Sequence, residues 1–154
     1  MSAQPQELWR LHPMSASHLS QIVVIEQASY EFPWTEGIFL DCLRVGYSAW
    51  VVTDTTGAVM AYALMSMAAG EAHILNICVA PRHRRRGLAQ FLLKHLLMIA
   101  RAASVGLLLL EVRRSNLAAQ RLYADFGFSE LGVRRGYYPA REGREDALVL
   151  GLEL

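Results

Sequence analysis

Cysteine is scarce in this 154-residue chain, and the two present, Cys42 and Cys78, lack the paired spacing of a metal knuckle or a redox motif. Both read as reduced core residues. The five histidines show no metal spacing either, so no metal is expected. Long apolar runs are missing. Runs such as Ile22–Ile25 and Leu107–Leu110 fall far short of the roughly 20 residues that a membrane span needs. Met1–Arg10 has no basic stretch leading into an apolar one, so no signal peptide is expected and the default compartment is the cytoplasm. Charge of one sign is missing too: 15 Lys and Arg stand against 14 Asp and Glu, for a net charge of +1. A general nucleic-acid binder needs an extended basic surface, so no direct nucleic-acid partner is expected. There is no low-complexity tract, linker or repeat. The expectation is one domain over residues 1–154, a monomer by default.

What is present is a globular composition, with 53% hydrophobic residues, which excludes a disordered chain. Glu7–His12 reads as a short first strand. Ser15 or Ser17 caps a helix to about Ser29, with Leu19, Ile22, Val23 and Glu26 at helical spacing. Phe32-Pro33-Trp34 breaks it, and Thr35 caps a second helix carrying Ile38, Phe39 and Leu43. The glutamate after Thr35 suits a helix N-terminus. Ser48–Asp54 and Val59–Met67 form a hairpin around Gly57. Glu71–Val79 is a further strand, ended by Ala80-Pro81. The longest helix runs from about Gly87 to Ala102, with Leu88, Phe91, Leu92, Leu96 and Ile99 on one stripe. Val105–Val112 is a strand whose unbroken leucines predict cover on both faces. Ser115–Phe126 is a helix closed by Gly127, and Phe128–Tyr138 and Asp146–Glu153 are two last strands. This order predicts an α/β (α+β) fold with a mixed sheet covered by helices.

The basic run Arg82-His-Arg-Arg-Arg86 needs a local explanation. It sits between a strand end and a long helix, where backbone N–H groups are free and the helix dipole is positive. Gly87 and the small Ala89 let a phosphate approach the backbone, and the arginines add fork-shaped donors. Together they form a pyrophosphate cradle. It is not a P-loop, because no Gly-Lys-Ser/Thr follows. The alternative is a solvated basic loop.

Arg84-x-x-Gly87-x-Ala89 resembles the Q/R-x-x-G-x-G/A acetyl-CoA motif of the GNAT superfamily. The preceding Asn76-Ile-Cys-Val-Ala-Pro81 resembles that family's splayed central strand, whose backbone pairs with the pantetheine arm. The resemblance implies a GNAT-like, mostly antiparallel sheet of about seven strands with a splayed centre and about four flanking helices. It implies acetyl-CoA as co-substrate, with contacts at Ile77, Cys78 and Val79 and at Arg85, Arg86, Gly87, Leu88, Ala89 and Gln90. Arg84 stands where Gln is frequent and His83 where an aromatic is common. Neither change disturbs a cradle made of backbone groups.

Glu111 ends the apolar run Leu107–Val112. A carboxylate there is expected to be partly desolvated, which raises its pKa and makes it a better base. The alternative is a strand-end carboxylate in solvent or paired with Arg113 or Arg114. Asn116, Gln120 and Tyr123 share one face of the following helix, with Leu122 and Phe126 on a neighbouring core stripe. Alternatively, Tyr123 simply packs. Glu111-Val-Arg-Arg-Ser-Asn116, Leu122-Tyr123, Gly127-Phe128, Tyr137-Tyr138-Pro139 and Gly143–Ala147 together resemble the RimI-type, ribosomal-protein-alanine N-acetyltransferases of the superfamily. This resemblance implies that Glu111 is the base, Tyr123 the acid and Asn116 a cofactor contact. It implies an acceptor that is the N-terminal alanine of a small-subunit ribosomal protein.

Chemistry points the same way. A peptide α-amine has pKa near ~7.7–8.0 and lysine near ~10.4, a difference of roughly 3.3 kcal/mol in deprotonation cost. A carboxylate base meets the first more easily, without excluding lysine or a small amine. Backbone N–H groups near Ile77–Val79 suit the developing oxyanion. Trp34, Tyr137 and Tyr138 are candidates for gripping a peptide, or else anchor loops. Glu71 is a candidate for attracting a basic one, or else a solvated strand end. A non-catalytic acetyl-CoA-binding module is the remaining alternative.

Overall fold

The computed structural model describes residues 8–154. Glu7, where the first strand was expected to begin, lies outside the described residues, as does most of Met1–Arg10. The strand present is β1, Arg10–Pro13. There follow α1 (Leu19–Ser29), α2 (Glu36–Val45), β2 (Ser48–Thr53), β3 (Val59–Ala68), β4 (Glu71–Val79), α3 (Leu88–Ala102), β5 (Leu107–Arg113), α4 (Leu117–Asp125), β6 (Ser129–Pro139) and β7 (Arg144–Glu153). The strands pair in the order β1-β2-β3-β4-β5-β7-β6. β4 and β5 are parallel, with Glu71–Ile74 opposite Leu107–Leu110. β1–β2, β5–β7 and β6–β7 are antiparallel. The described residues thus form the expected mixed, mostly antiparallel seven-stranded sheet with four helices. It divides into two compact units, one of residues up to Leu64 with Asn76–Leu92, the other of Met65–Leu75 with Leu93–Leu154.

In the first unit, Ser15 caps a 3-10 turn, Ala16–His18, and α1 proper starts at Leu19. The backbone N–H of Ser15 donates to His18 Nδ1 at 3.0 Å. The inward face of α1 is Leu19, Ile22, Ile25 and Glu26; Val23, expected there, is half-buried. Thr35 caps α2 as its sequence implies, Oγ1 accepting from the Ile38 N–H at 3.3 Å. Phe39 and Cys42 point inward while Ile38 is exposed, so the apolar stripe is narrower than the sequence suggested. Cys42 and Cys78 are both free and buried.

In the second unit, β5 corrects an expectation. Its burial alternates: Leu108, Leu110 and Val112 are buried, whereas Leu107, Leu109 and Glu111 are only partly so. The unbroken leucines of Leu107–Leu110 hide the period of two that exposure reveals. α4 corrects another. Tyr123 is buried, and Leu122 and Phe126, expected on the core stripe, are half-exposed. The helix is closed as expected by Gly127, at φ 95°. Phe128 N–H donates to Tyr123 O at 3.1 Å and Gly127 N–H to Ala124 O at 3.0 Å, the double bond of a Schellman ending. β6 pairs with β7 across two irregularities, between Glu130 and Gly132 and between Arg134 and Tyr138.

Candidate active site

The loop expected to cradle a phosphate lies between β4 and α3. β4 stops before Pro81, a 3-10 turn spans Pro81–His83, and α3 begins at Leu88. Between them Arg85 and Gly87 both take left-handed backbone, φ 65° and 82°. Such a conformation costs a non-glycine residue about 1–2 kcal/mol, and strain of this kind collects at functional sites. The first helical bond runs from Phe91 N–H to Gly87 O at 3.0 Å, so the N–H groups of Leu88, Ala89 and Gln90 precede the helical ladder. A Cβ built on Gly87 meets no atom within 4 Å, leaving open space in front of the turn. Arg84, Arg85 and Arg86 are exposed around it. Free N–H groups, open space and three cations fit a pyrophosphate.

The same unit holds a cluster that the sequence did not flag. Glu26 is buried, with 2% of its surface exposed. Its Oε1 accepts from the Tyr62 hydroxyl at 2.5 Å and from Asn76 Nδ2 at 3.0 Å; its Oε2 accepts from the Trp34 N–H at 2.9 Å. Burial first, with the nearby acids, pushes the Tyr62 hydroxyl well above its ordinary range, so it stays a donor. The Tyr30 hydroxyl donates to Ile77 O at 3.2 Å. These bonds fix β4 at Asn76 and Ile77, where the residues expected to meet the cofactor begin. Trp34 is held by its backbone, and its ring lies 5.2 Å from that of Phe39. The available signal was a glutamate in phase with Ile22 on the inward face of α1.

In the second unit, the arginines after Glu111 pair with other acids. Arg113 bonds Glu145 at 3.1 Å, and Arg114 lies 3.8 Å from Asp146. The Glu111 carboxylate accepts from His73 Nε2, and from Arg134 Nη1 at 3.1 Å. The expected raised pKa is therefore corrected. The His73 hydrogen bond, followed by the imidazole and guanidinium charges, outweighs burial and holds the carboxyl below its ordinary value. The sequence missed both partners.

Tyr123 is pushed well above its ordinary range, first by burial and then by Tyr138, so it is protonated at neutral pH. Its ring sits 5.5 Å from Phe128, edge-on. Asn116 caps α4, Oδ1 accepting from the Ala119 N–H at 3.2 Å, and Gln120 Nε2 ties the helix to Arg113 O and Arg114 O. Tyr137 and Tyr138 pack together at 4.9 Å, each beneath an arginine: Arg134 over Tyr137 and Arg113 over Tyr138, both at 4.4 Å. Burial and the Glu111 charge push the half-buried Tyr138 up to about 12. Glu71 is the exposed first residue of β4.

The acetyltransferase (GNAT) family profile matches residues 11–128. The chain belongs to the GNAT family. A relative from Escherichia coli, ribosomal protein bS18-alanine N-acetyltransferase, is 40% identical over 130 residues, 84% of this chain and 87% of the relative. The crystal structure of the ribosomal-protein-alanine N-acetyltransferase from Escherichia coli superposes with a TM-score of 0.88 at 36% identity, covering 95% of this chain and 94% of that one. Ard1 from Thermoplasma volcanium gives 0.86 at 25% identity, over 95% and 97%. As in the GNAT family at large, acetyl-CoA is the co-substrate. Among the described residues, no three His, Cys, Asp or Glu are grouped to hold a metal ion, and no helix is long and apolar enough to cross a membrane.

The observed cap of Asn116 and its expected role as a cofactor contact are separable. Asn116→Ala is expected to cost about 1 kcal/mol of stability, read as a lower denaturant midpoint. Asn116→Asp keeps the cap, so a raised KM for acetyl-CoA in Asp as well as Ala marks a cofactor contact. An unchanged KM in both assigns the residue to the cap alone.

Proposed function

We propose that this chain transfers the acetyl group of acetyl-CoA to the N-terminal α-amine of a protein, the N-terminal alanine of a small-subunit ribosomal protein. The observation that carries this reading is the 40% identity, over 84% of the chain, to an enzyme named for that acceptor. The chain then works as a single acetyltransferase domain in the cytoplasm, where its acceptor is made. The family match running through residues 11–128 supports the single domain.

In this reading Arg85–Gln90 hold the pyrophosphate and the backbone of Ile77–Val79 meets the pantetheine arm. Asn116 offers Nδ2 as a donor, while Oδ1 already accepts one hydrogen bond in the cap. Acetyl-CoA supplies the activated thioester. Glu111 is the base through which the acceptor ammonium loses the proton that blocks attack by its nitrogen. Tyr123, protonated at neutral pH, supplies the proton for the departing sulfur. N–H groups of Ile77–Val79 are donors for the carbonyl oxygen as it gains charge. Trp34, Tyr137, Tyr138 and Glu71 are the peptide-side candidates. Trp34 acts as an anchored wall, and the arginine-stacked tyrosines as a stiff strand end.

The test is turnover with a peptide beginning Ala-Arg, beside the same peptide with a blocked N-terminus and an internal lysine. Acetylation of the free N-terminus alone, reduced about tenfold or more in Tyr123→Phe, is the expected result. Acetylation of the blocked peptide overturns the α-amine assignment, and binding of acetyl-CoA without turnover of any amine overturns the enzyme reading.

A further inference from the structure

The carboxylate assigned as base has an imidazole bound to it. His73 stands opposite Leu109 in the β4–β5 register, and its Nε2 hydrogen-bonds Glu111 Oε2. The Glu111 side chain is 12% exposed and that of His73 35%. The anion is sheltered while the imidazole reaches water. The second carboxylate oxygen is taken by Arg134.

The surroundings of the pair are specific. β6 contributes Arg134 and Tyr138. On β5, Arg113 is engaged by Glu145 and Pro139 O. On β4, Glu71 shares the His73 face by strand alternation. β7 places the uncharged Val149 opposite Glu111. One anion thus holds two donors, and only the imidazole has a second nitrogen, Nδ1, able to take up a proton.

A carboxylate that must also satisfy a guanidinium and an imidazole is a weak match for an ammonium of pKa near ~7.7–8.0. An imidazole, ordinarily near ~6.5, is a closer match. We propose that His73 and Glu111 form the base as a pair, the acceptor's proton coming to rest on the His73 imidazole while Glu111 fixes its tautomer and stabilises its cation. This rests on the reading of Glu111 as the proton-accepting end of the site, and moves the proton from the carboxylate to its partner. The balance is simple. Two protons leave the nitrogen between ammonium and amide. The one lost as the C–S bond breaks replaces the one Tyr123 gives the departing sulfur. The first is the one the pair takes, as its N–H bond breaks and leaves an electron pair on nitrogen to attack the carbonyl. The proton travels through water to Nδ1, forming an N–H bond there while Nε2–H stays on Glu111. The part-exposed imidazolium later returns the proton to solvent.

The experiment compares pH–rate profiles of the full chain, His73→Gln and His73→Ala, at saturating acetyl-CoA. The amine is whichever of the Ala-Arg peptide and the blocked lysine peptide the wild type acetylates. Glutamine keeps an N–H donor for Glu111 but takes no proton. Expected are an acid limb of the wild-type profile that moves in both variants, and a kcat lowered about tenfold or more at pH 7 in both. KM for acetyl-CoA should be unchanged, and the loss should narrow towards pH 9, where more of the amine is already neutral. A His73→Gln enzyme with wild-type kcat and an unmoved acid limb overturns the pair, because His73 is then only a hydrogen-bond donor. Failure of the acceptor assignment shows separately, as activity on the lysine peptide.

Discussion

Glu111→Gln is expected to lower kcat/KM for the Ala-Arg peptide by about 10²–10⁴-fold, the span of general acid–base catalysis. The substitution keeps the side chain's shape and leaves a carbonyl oxygen for Arg134. It removes the anion on which both proton-taking schemes depend, the lone carboxylate and the His73 pair. Stability carries its own signature. Because the folded-state pKa of Glu111 is depressed, its stabilising contribution is present above the ordinary carboxylate pKa of about 4.3 and is lost as pH falls through the lower folded value. The melting-temperature gap between wild type and Glu111→Gln should therefore be open at pH 7 and close at pH well below 4. A gap that persists in acid would mean that packing, not charge, holds this side chain. Activity within a few-fold of wild type would remove Glu111 from the chemistry.

Glu26→Ala is expected to be the most destabilising single change in the first unit. It strands three donors, the Tyr62 hydroxyl, Asn76 Nδ2 and the Trp34 N–H, around a side chain with 2% exposure. Each buried donor left unpaired costs about 1–3 kcal/mol. Since water entering the gap satisfies some of them, a total near ~3–5 kcal/mol follows, or roughly 10–15 °C in Tm for a chain of this size. Glu26→Gln, which keeps one acceptor oxygen, should lose distinctly less. Denaturant unfolding of both variants checks this. A loss under about 1 kcal/mol in the alanine variant would show that the three donors find other partners. Asn76 leads directly into Ile77, so a folded Glu26→Ala enzyme should also show a raised KM for acetyl-CoA.

These two residues mark the limits of what the sequence discloses. The cradle was legible because its parts are adjacent: Arg84, Gly87 and Ala89 lie within six positions and act through backbone that only such residues permit. Thr35 and Gly127 were legible for the same reason, since caps are local. The partners of Glu111 were not, because His73 lies 38 positions away and meets it only through the pairing of two parallel strands. Desolvation alone gave the wrong sign for its pKa, as the tertiary donors could not be counted. Glu26 was hidden likewise, with Tyr62 and Asn76 36 and 50 positions off. Tyr123 was misplaced relative to Leu122 and Phe126 because a nine-residue helix with apolar side chains on several sides leaves its rotation undetermined.

The two ends of the strand order bear on how this protein behaves when crowded. An unpaired strand edge is a template on which another chain can add, and long, straight, apolar edges seed aggregates. Here β1 is four residues long and ends in Pro13, which has no N–H to offer. β6 is longer, but its ladder is broken twice and its exposed positions include Glu130, Arg134 and Arg135 before it ends in Pro139. A second copy arriving at either edge finds no long run of evenly spaced donors and acceptors. At β6 it must also bury charge. The irregular strand that carries Arg134 to Glu111 therefore also blunts an edge against unwanted pairing, and concentrated preparations should stay free of sheet-to-sheet growth.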